Sequence, residues 1–227
     1  MKNKIHPFQM LFLSTVNFVI CTGLAMLLYP GGKYHDHNSQ GYSFIENFFS
    51  DLGRWRTFTG DSKWLSLILF VFSMLMLAVG TIAFTRAFLK DHADRERYPV
   101  AYYAALVSSL VYAAFVVGIV LTPYDLMLDK HMFVTRAAFI TMVPLSWSVS
   151  YLVYKHKEIP NRYFILLFSV SIVLLGYIYI LFFGPRVSEN PYFQPIAQKV
   201  IVYLLCFSLM YLAHGCKRYL LQNAGND

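Results

Sequence analysis

The sequence predicts an all-α, polytopic membrane protein: a six-transmembrane-helix bundle with a short amphipathic interfacial helix in the first outer loop. The chain of 227 residues is 57% hydrophobic and only 14% charged, whereas soluble domains carry roughly 25% charged residues. The charged residues avoid six apolar stretches, each close to the roughly 20 residues that a helix needs to cross a bilayer. These stretches are about residues 8–29, 64–89, 100–121, 132–154, 163–183 and 196–211.

Each apolar stretch is predicted to be helical, because backbone groups in lipid must find hydrogen-bond partners within their own segment. The first stretch follows Lys2 and Lys4 and runs for about 22 residues, longer than the roughly 7–15 apolar residues of a signal peptide. We therefore expect it to remain as the first helix. No repeat or second domain is visible, so residues 1–227 are predicted to form a single domain, with a disordered tail at about 222–227.

The distribution of Lys and Arg predicts that both termini lie in the cytoplasm. With this orientation, eleven of the 19 basic residues fall on the inner side and eight on the outer side, and an excess of basic residues marks the cytoplasmic side. The outer side then carries the long loop, about residues 30–63. We expect a multi-pass protein of the cell membrane. The net charge of +7 is explained by surfaces that face lipid headgroups, and no basic array with stacking aromatic residues indicates nucleic-acid binding.

The amphipathic helix is predicted in residues 41–54 of the outer loop. Ser43 and Glu46 have the spacing of a capping box, in which each side chain satisfies a backbone N–H at a helix start. Apolar residues recur every three or four positions after them, and Gly53 is a typical residue just past a helix end. Asp51 and Arg54 lie near that end. A solvated loop that packs a few aromatic residues is the alternative.

Polar residues also gather at the outer ends of the third and fourth spans. Asp125 follows the third span, and His131 and Arg136 lie in the first turns of the fourth. An arginine at that depth is costly unless it faces the bundle interior and has a partner. We therefore expect Arg136 to pair with Asp125 or Asp51. A purely structural ion pair that fixes this corner is the competing interpretation.

The start of the sixth span adds Gln198, Lys199 and Tyr203 at helical spacing. Lys199 either points inward beside Arg136, where it would help to bind an anion, or extends to the headgroups as membrane lysines commonly do.

The sequence indicates no cofactor, and a metal site is the less favoured interpretation. His35 and His37 in the outer loop, together with His131, would supply three histidine ligands for zinc. His-x-His pairs bind metals well on strands, but this pair lies in a segment rich in Gly, Asn and Ser. The three cysteines fall within or at the ends of spans, so no structural disulfide is expected.

The segment Ser50-Asp51-Leu52-Gly53, the pattern Pro123-x-Asp125, His131 and the six-span layout resemble a family of bacterial and archaeal integral membrane proteins of unknown function. That family is distantly similar to the Frag1/DRAM/Sfk1 group, whose eukaryotic members are tied to lipid remodelling and membrane homeostasis. The resemblance implies that Ser50, Asp51, Gly53, Asp125 and His131 belong to one outward-facing site. It supplies no catalytic residues.

The leading hypothesis is an outward-facing polar pocket at headgroup level that binds a lipid or other amphiphile. Whether the protein is an enzyme that also modifies this ligand is left open. The substrate-binding candidates are Arg54, Arg136, Lys199, Gln198 and Tyr203. The catalytic candidates are Asp51 and His131 as a general acid–base pair, with Ser50 and Asp125 as further choices.

Two alternatives are kept. The first is a proton- or ion-coupled transporter of a small solute, in which buried charges form a relay. Against it, no pair of Pro- or Gly-broken helices occupies matching halves of the chain. The second is a non-catalytic membrane scaffold or sensor. The expected partners are membrane lipids or an amphiphilic substrate, and the sequence predicts no oligomeric state.

Overall fold

The computed structural model describes the backbone of residues 7–223 and the side chains of residues 8–215. Residues 224–227 of the predicted tail lie outside this range, as does the side chain of Cys216. The elements, in chain order, are α1 (Pro7–Leu27), β1 (Gly31–Lys33), β2 (Asp36–Gln40), a 3-10 helix (Phe49–Gly53), α2 (Trp64–His92), α3 (Pro99–Leu121), α4 (Leu128–Lys155), α5 (Asn161–Phe183) and α6 (Phe193–Asn223).

The six helices confirm the six predicted spans. Each contains a stretch of 20 to 29 residues that is long and apolar enough to cross a membrane. Their outward faces remain apolar: Leu27, Val100 and Phe183 are 82%, 83% and 74% exposed. Apolar side chains that are exposed along whole helices require lipid rather than water around them. The chain is therefore a multi-pass membrane protein with an all-α bundle.

The helices form a closed ring. Each helix packs on its neighbours in the sequence, and α6 returns to pack on α1. The strongest pair is α1 with α2, where Ser66 and Ser73 are fully buried and the Cα of Gly80 approaches Ser14 so closely that a Cβ would overlap the Ser14 hydroxyl. Small residues let transmembrane helices approach closely. Because six helices in a ring cannot all meet at one axis, the ring encloses a space at its centre.

The loop between α1 and α2 is more structured than the sequence predicts. Strands β1 and β2 pair antiparallel, with Gly31 opposite Gln40 and Lys33 opposite Asp36. Gly32 has a φ of +86°, and a Cβ there would approach Phe58 Cβ at 2.7 Å. Glycine therefore allows the hairpin to lie against the second half of the loop.

The predicted amphipathic helix differs from the observed one. The chain forms a turn near Ser43 and then the five-residue 3-10 helix, in which Phe49, Ser50, Asp51 and Leu52 are buried. Glu46 does not complete the capping box, because its carboxylate is 2.5 Å from Lys33 Nζ and accepts the Ser43 hydroxyl at 3.1 Å. The helix therefore begins later. Four of its five residues are buried, and it packs against α1, α2 and α6.

Candidate functional site

Residues 41–63 close one end of the helix ring, and we call this segment the plug. Phe49 and Leu52 of the plug pack against Tyr29 at the end of α1 and against Phe70 of α2. Leu52 is completely buried. This apolar contact fixes the 3-10 helix against the bundle and carries its polar residues into a buried position.

Asp51 lies at the centre of the plug and is only 3% exposed. Its Oδ2 atom accepts the backbone N–H of Phe48 at 2.9 Å and the side-chain amide of Asn47 at 3.1 Å. Burial raises the pKa of the Asp51 carboxyl, and the two donors and the charges of Arg54 and Lys63 offset part of that rise. The protonated and ionised forms of Asp51 are thus closer in free energy near neutral pH than those of an exposed aspartate.

Lys63 is the second buried charge of the plug, with 4% exposure. Its Nζ donates to the backbone carbonyls of Asp51 and Leu52, both at 2.6 Å, and lies 5.1 Å from the centroid of the Tyr29 ring. Burial lowers the pKa of Lys63 to about 7, although the charge of Asp51 acts in the opposite direction. A lysine with such a pKa exchanges protons at neutral pH, whereas an ordinary lysine remains charged.

Lys199 reaches the plug from α6. The side chain is 1% exposed, so it points inward and does not extend to the headgroups. Its Nζ donates to the backbone carbonyl of Asn47 and lies 5.3 Å from the ring centroids of both Tyr42 and Phe44. Aromatic faces and a carbonyl, rather than a carboxylate, therefore stabilise this buried ammonium group.

Asn47 connects these groups and is fully buried. Besides its bond to Asp51, its amide donates to the Gly32 carbonyl at 3.1 Å, and its Oδ1 accepts the Ser43 N–H at 2.9 Å. One side chain thus joins the hairpin, the turn and the 3-10 helix. Its backbone carbonyl completes a chain of contacts from Asp51 through Asn47 to Lys199.

Two further predicted binding residues of α6 also contact the plug. Gln198 is buried, and its Oε1 accepts the backbone N–H of Phe49 at 2.9 Å. The ring of Tyr203 lies 5.5 Å from that of Phe49 and stacks on Phe44 at 6.2 Å. Ser50 is buried beside Asp51 in the 3-10 helix. These contacts attach the plug to α6.

Arg54 and Asp125 lie at the edge of the plug that faces the α3–α4 corner. The guanidinium carbon of Arg54 lies 3.8 Å above the Phe58 ring, and its Nε donates to the Arg56 carbonyl at 3.1 Å. Asp125 accepts two backbone N–H groups of the plug, from Trp55 at 2.8 Å and from Arg56 at 2.9 Å. Asp125 therefore holds the plug in position.

His131 lies next to this edge and is 2% exposed. Its Nδ1 is 2.6 Å from the Thr122 carbonyl, which requires that nitrogen to carry the proton. Its ring lies 5.7 Å from Tyr124, and the Tyr124 ring lies 5.6 Å from the Arg54 guanidinium carbon. His131 is thus connected to the plug only through Tyr124 in the contacts of the described residues.

The predicted pairing of Arg136 with Asp125 or Asp51 is wrong. Among the residues that the structure describes, Arg136 has no ion pair with a carboxylate, and its Nε is buried without a hydrogen-bond partner. Its guanidinium carbon instead lies 4.9 Å from the Phe182 ring of α5. The two carboxylates have other partners: Asp125 binds loop backbone, and Asp51 binds Asn47 and Phe48.

The three predicted metal ligands are engaged separately. His35 Nε2 lies 2.9 Å from the Val187 carbonyl, and the His37 ring packs on Phe58 at 5.4 Å. Within the described part of the chain, no group of three or more His, Cys, Asp or Glu residues could hold a metal ion.

Asn47 and Lys63 are site residues that the sequence pattern alone does not identify. The signal for Lys63 was its position directly before an apolar span. A lysine there has the reach to fold back over the helix end, but only the folded loop shows that it does so.

A cavity of about 150 Å³ lies inside the helix ring. All six helices line it, and its walls are mainly apolar. Representative lining residues from α1 to α6 are Leu11, Thr85, Tyr112, Ala138, Leu167 and Cys206. Ser171 and Ser208 also line it, but their hydroxyls donate to backbone carbonyls of their own helices.

The cavity lies directly beneath the plug. Met74, Ile119 and Val202 line the cavity and also pack against the cluster that contains Phe49 and Leu52. The molecule therefore has a layer of buried polar groups at one helix end, an apolar layer below it, and an apolar cavity below that.

Comparison with known proteins gives a family but no function. No curated protein and no solved structure matches the chain. A family described as a protein of unknown function, DUF998, matches residues 13–215. The match includes the plug and almost all of the six helices. The chain therefore belongs to the DUF998 family of proteins of unknown function.

Proposed function

We propose that this protein binds a membrane lipid or other amphiphile inside the helix ring, with its apolar chain in the central cavity and its polar end among the buried polar groups of the plug. The cavity carries this proposal, because it is lined by all six helices and offers mainly apolar walls at membrane depth. An apolar chain that leaves bilayer lipid for such walls exchanges one apolar environment for another, whereas a soluble metabolite would find few polar partners there.

The polar groups above the cavity support an amphiphile rather than a plain hydrocarbon. Lys63 and Lys199 are positively charged donors whose partners are carbonyls and rings, without a carboxylate ion pair in the described part of the chain. Outward movement of residues 41–53 would withdraw the carbonyls of Asn47, Asp51 and Leu52 and leave both ammonium groups available to an anionic headgroup. Arg54 lies at the edge of the same segment and serves the same purpose.

Modification of the ligand is a further part of the proposal. Burial raises the pKa of Asp51, and the pKa of Lys63, lowered to about 7, allows this lysine to exchange protons at neutral pH. The role of His131 as the partner of Asp51 stays a prediction, and its Nδ1 bond to Thr122 favours a positioning role. The expected distant similarity to the Frag1/DRAM/Sfk1 group also stays a prediction.

The proposal is tested by the lipids that the purified protein retains. We expect native mass spectrometry of protein extracted in mild detergent to show a bound amphiphile. Ala138→Leu places a larger side chain in the cavity and should abolish this adduct, because Ala138 is 4% exposed and lines the cavity.

The matched control is Ala137→Leu, since Ala137 lies on the same helix but is not among the cavity-lining residues. It should retain the adduct. Thermal unfolding of both variants checks that any loss is not a loss of fold. Equal adducts in the parent, Ala138→Leu and Ala137→Leu would contradict the proposal.

A further inference from the structure

We propose a second lipid site, on the outside of the bundle: the groove between α3 and α4 at the end opposite the plug binds an anionic phospholipid. This site is independent of the function proposed above. It shares no residue with the plug or the central cavity, and it would exist even if the cavity were empty.

The groove exists because small residues occupy its floor. Ala101 and Ala104 of α3 face Ser148 of α4, and the groove has a volume of about 440 Å³. All three side chains are partly exposed. The space is therefore open to the surrounding lipid and wide enough for the upper part of an acyl chain.

Aromatic residues form the walls of the groove. Tyr98 lies at the edge of the groove farthest from the plug. It packs edge-to-face on Tyr151 with 5.7 Å between ring centroids. Trp147, one turn before Tyr151, is 42% exposed. Tyrosine and tryptophan concentrate at the level where lipid headgroups meet the hydrocarbon core, so the groove lies at the depth of a glycerol backbone and its first chain carbons.

Arg97 lines the headgroup end of the groove, and Lys155 lies next to it, beside the Tyr151 ring. The guanidinium carbon of Arg97 is 5.5 Å from the Tyr98 ring, and Lys155 Nζ is 5.3 Å from the Tyr151 ring. Both residues are exposed. Neither forms an ion pair with a carboxylate in the part of the chain that the structure describes. The nearby Asp94 carboxylate accepts the backbone N–H of Arg97 at 2.9 Å rather than its side chain.

The chemistry of the groove selects its ligand class. Two cations without carboxylate partners favour a negatively charged phosphate, and the aromatic and alanine surfaces favour an attached acyl chain. A soluble anion would use only the cations, and a zwitterionic lipid would bring its own positive charge beside them. The combination therefore points to an anionic phospholipid.

The test titrates detergent-purified protein with phosphatidylglycerol and, separately, with phosphatidylcholine of the same chains, and counts adducts by native mass spectrometry. We expect tighter binding of phosphatidylglycerol. Each basic group near a membrane surface contributes about fivefold to anionic-lipid affinity. The double variant R97Q/K155Q should therefore lose roughly 25-fold for phosphatidylglycerol and little for phosphatidylcholine.

Three variants separate the groove from general effects. K90Q removes an exposed cation from the same end of the bundle, outside the groove, and should bind as the parent does. A104F fills the groove and should weaken binding, whereas V107F adds the same bulk on an exposed part of α3 outside the groove and should not. R97K keeps the charge and should retain most of the affinity.

Equal affinity for phosphatidylglycerol and phosphatidylcholine would contradict the proposal, because the bound lipid would then be only the unselective lipid that surrounds any membrane protein. It would also be overturned if R97Q/K155Q and K90Q reduced binding equally, or if A104F bound as V107F does. Since the central cavity is tested by Ala138→Leu, failure at the groove and failure at the cavity give different results.

Discussion

Buried cations and one buried carboxylate define the chemistry of this protein at the scale of single residues. Asp51, Lys63 and Lys199 are each less than 5% exposed, as their exposed fractions of 3%, 4% and 1% show. Burial of a charge costs several kcal/mol unless other groups replace its water. Here carbonyls, an amide and aromatic rings replace that water. The side chain of Asn47 alone makes three hydrogen bonds, to Gly32, Ser43 and Asp51.

Asn47→Ala should destabilise the protein by roughly 3 kcal/mol, because it leaves the Gly32 carbonyl, the Ser43 N–H and part of the Asp51 carboxylate without partners. Thermal unfolding in detergent measures this. Asn38→Ala is the matched control, since Asn38 is exposed in strand β2 and should change the stability little. Equal melting temperatures for the two variants would show that Asn47 is not a structural centre.

Lys63 predicts a specific pH dependence. Its pKa is lowered from 10.5 to about 7 in the folded state, so the folded protein binds one proton fewer than the unfolded chain between these values. The contribution of Lys63 to the free energy of unfolding is therefore largest above pH 10.5. It decreases as the pH falls from 10.5 to about 7, and it is constant below about 7.

The Lys63→Met variant should therefore show a smaller rise in melting temperature between pH 7 and pH 10 than the parent protein. Lys130→Met is the control, since Lys130 is exposed. The absolute stability of the Met variant does not matter for this comparison, because the slope alone is measured. Parallel pH profiles for Lys63→Met and the parent would mean that Lys63 has an ordinary pKa.

At the scale of elements, the plug is the feature that distinguishes this ring of helices. It is fixed to α1 and α2 by apolar packing, to α6 by Gln198 and Lys199, and to the α3–α4 corner by Asp125. A short 3-10 helix has little stability of its own, because most helical stability comes from packing. The plug position therefore depends on these attachments.

Asp125→Asn should loosen the edge of the plug at residues 54–58, because an amide presents one acceptor oxygen to the two N–H groups of Trp55 and Arg56 instead of two. Hydrogen–deuterium exchange should be faster in that segment and unchanged in α5. Asp129→Asn is the control, since Asp129 is exposed in the first turn of α4. Unchanged hydrogen–deuterium exchange at residues 54–58 would show that Asp125 does not hold the plug in position.

The spans were predictable from the sequence and the plug geometry was not. Apolar runs such as 100–121 are long enough to identify a membrane helix without knowledge of any partner. The β1–β2 hairpin lacks strand-forming residues and depends on glycine geometry at Gly31 and Gly32. The sequence predicts a carboxylate partner for Arg136, but Asp125 binds backbone N–H groups of the plug instead. Such competition depends on the folded loop rather than on local sequence.

At the scale of the whole molecule, the closed ring links topology to the proposed function. Each helix packs on its sequence neighbours, α6 closes on α1, and the enclosed space is the central cavity. The plug covers one end of this space. An amphiphile would enter from that end or between helices, and its polar end would meet Lys63, Lys199 and Asp51.

Orientation is a prediction that belongs to this scale. The Lys and Arg distribution predicts that the plug lies outside and both termini lie in the cytoplasm. With the native cysteines replaced by alanine, Asn38→Cys should react with an impermeant thiol reagent in intact cells, because Asn38 is exposed in the hairpin. Lys157→Cys, at the opposite end, should react only after lysis. The reverse pattern would place the plug inside.

Photo-crosslinking tests the central claim most directly. Cells or vesicles are supplied with a phospholipid whose acyl chain carries a diazirine, and the labelled residues are mapped by mass spectrometry. We predict labels on cavity-lining residues such as Met142 and Leu205, lost in Ala138→Leu and kept in Ala137→Leu. Labels confined to outward-facing residues such as Phe133 and Val200, with no change in Ala138→Leu, would contradict a lipid chain inside the ring.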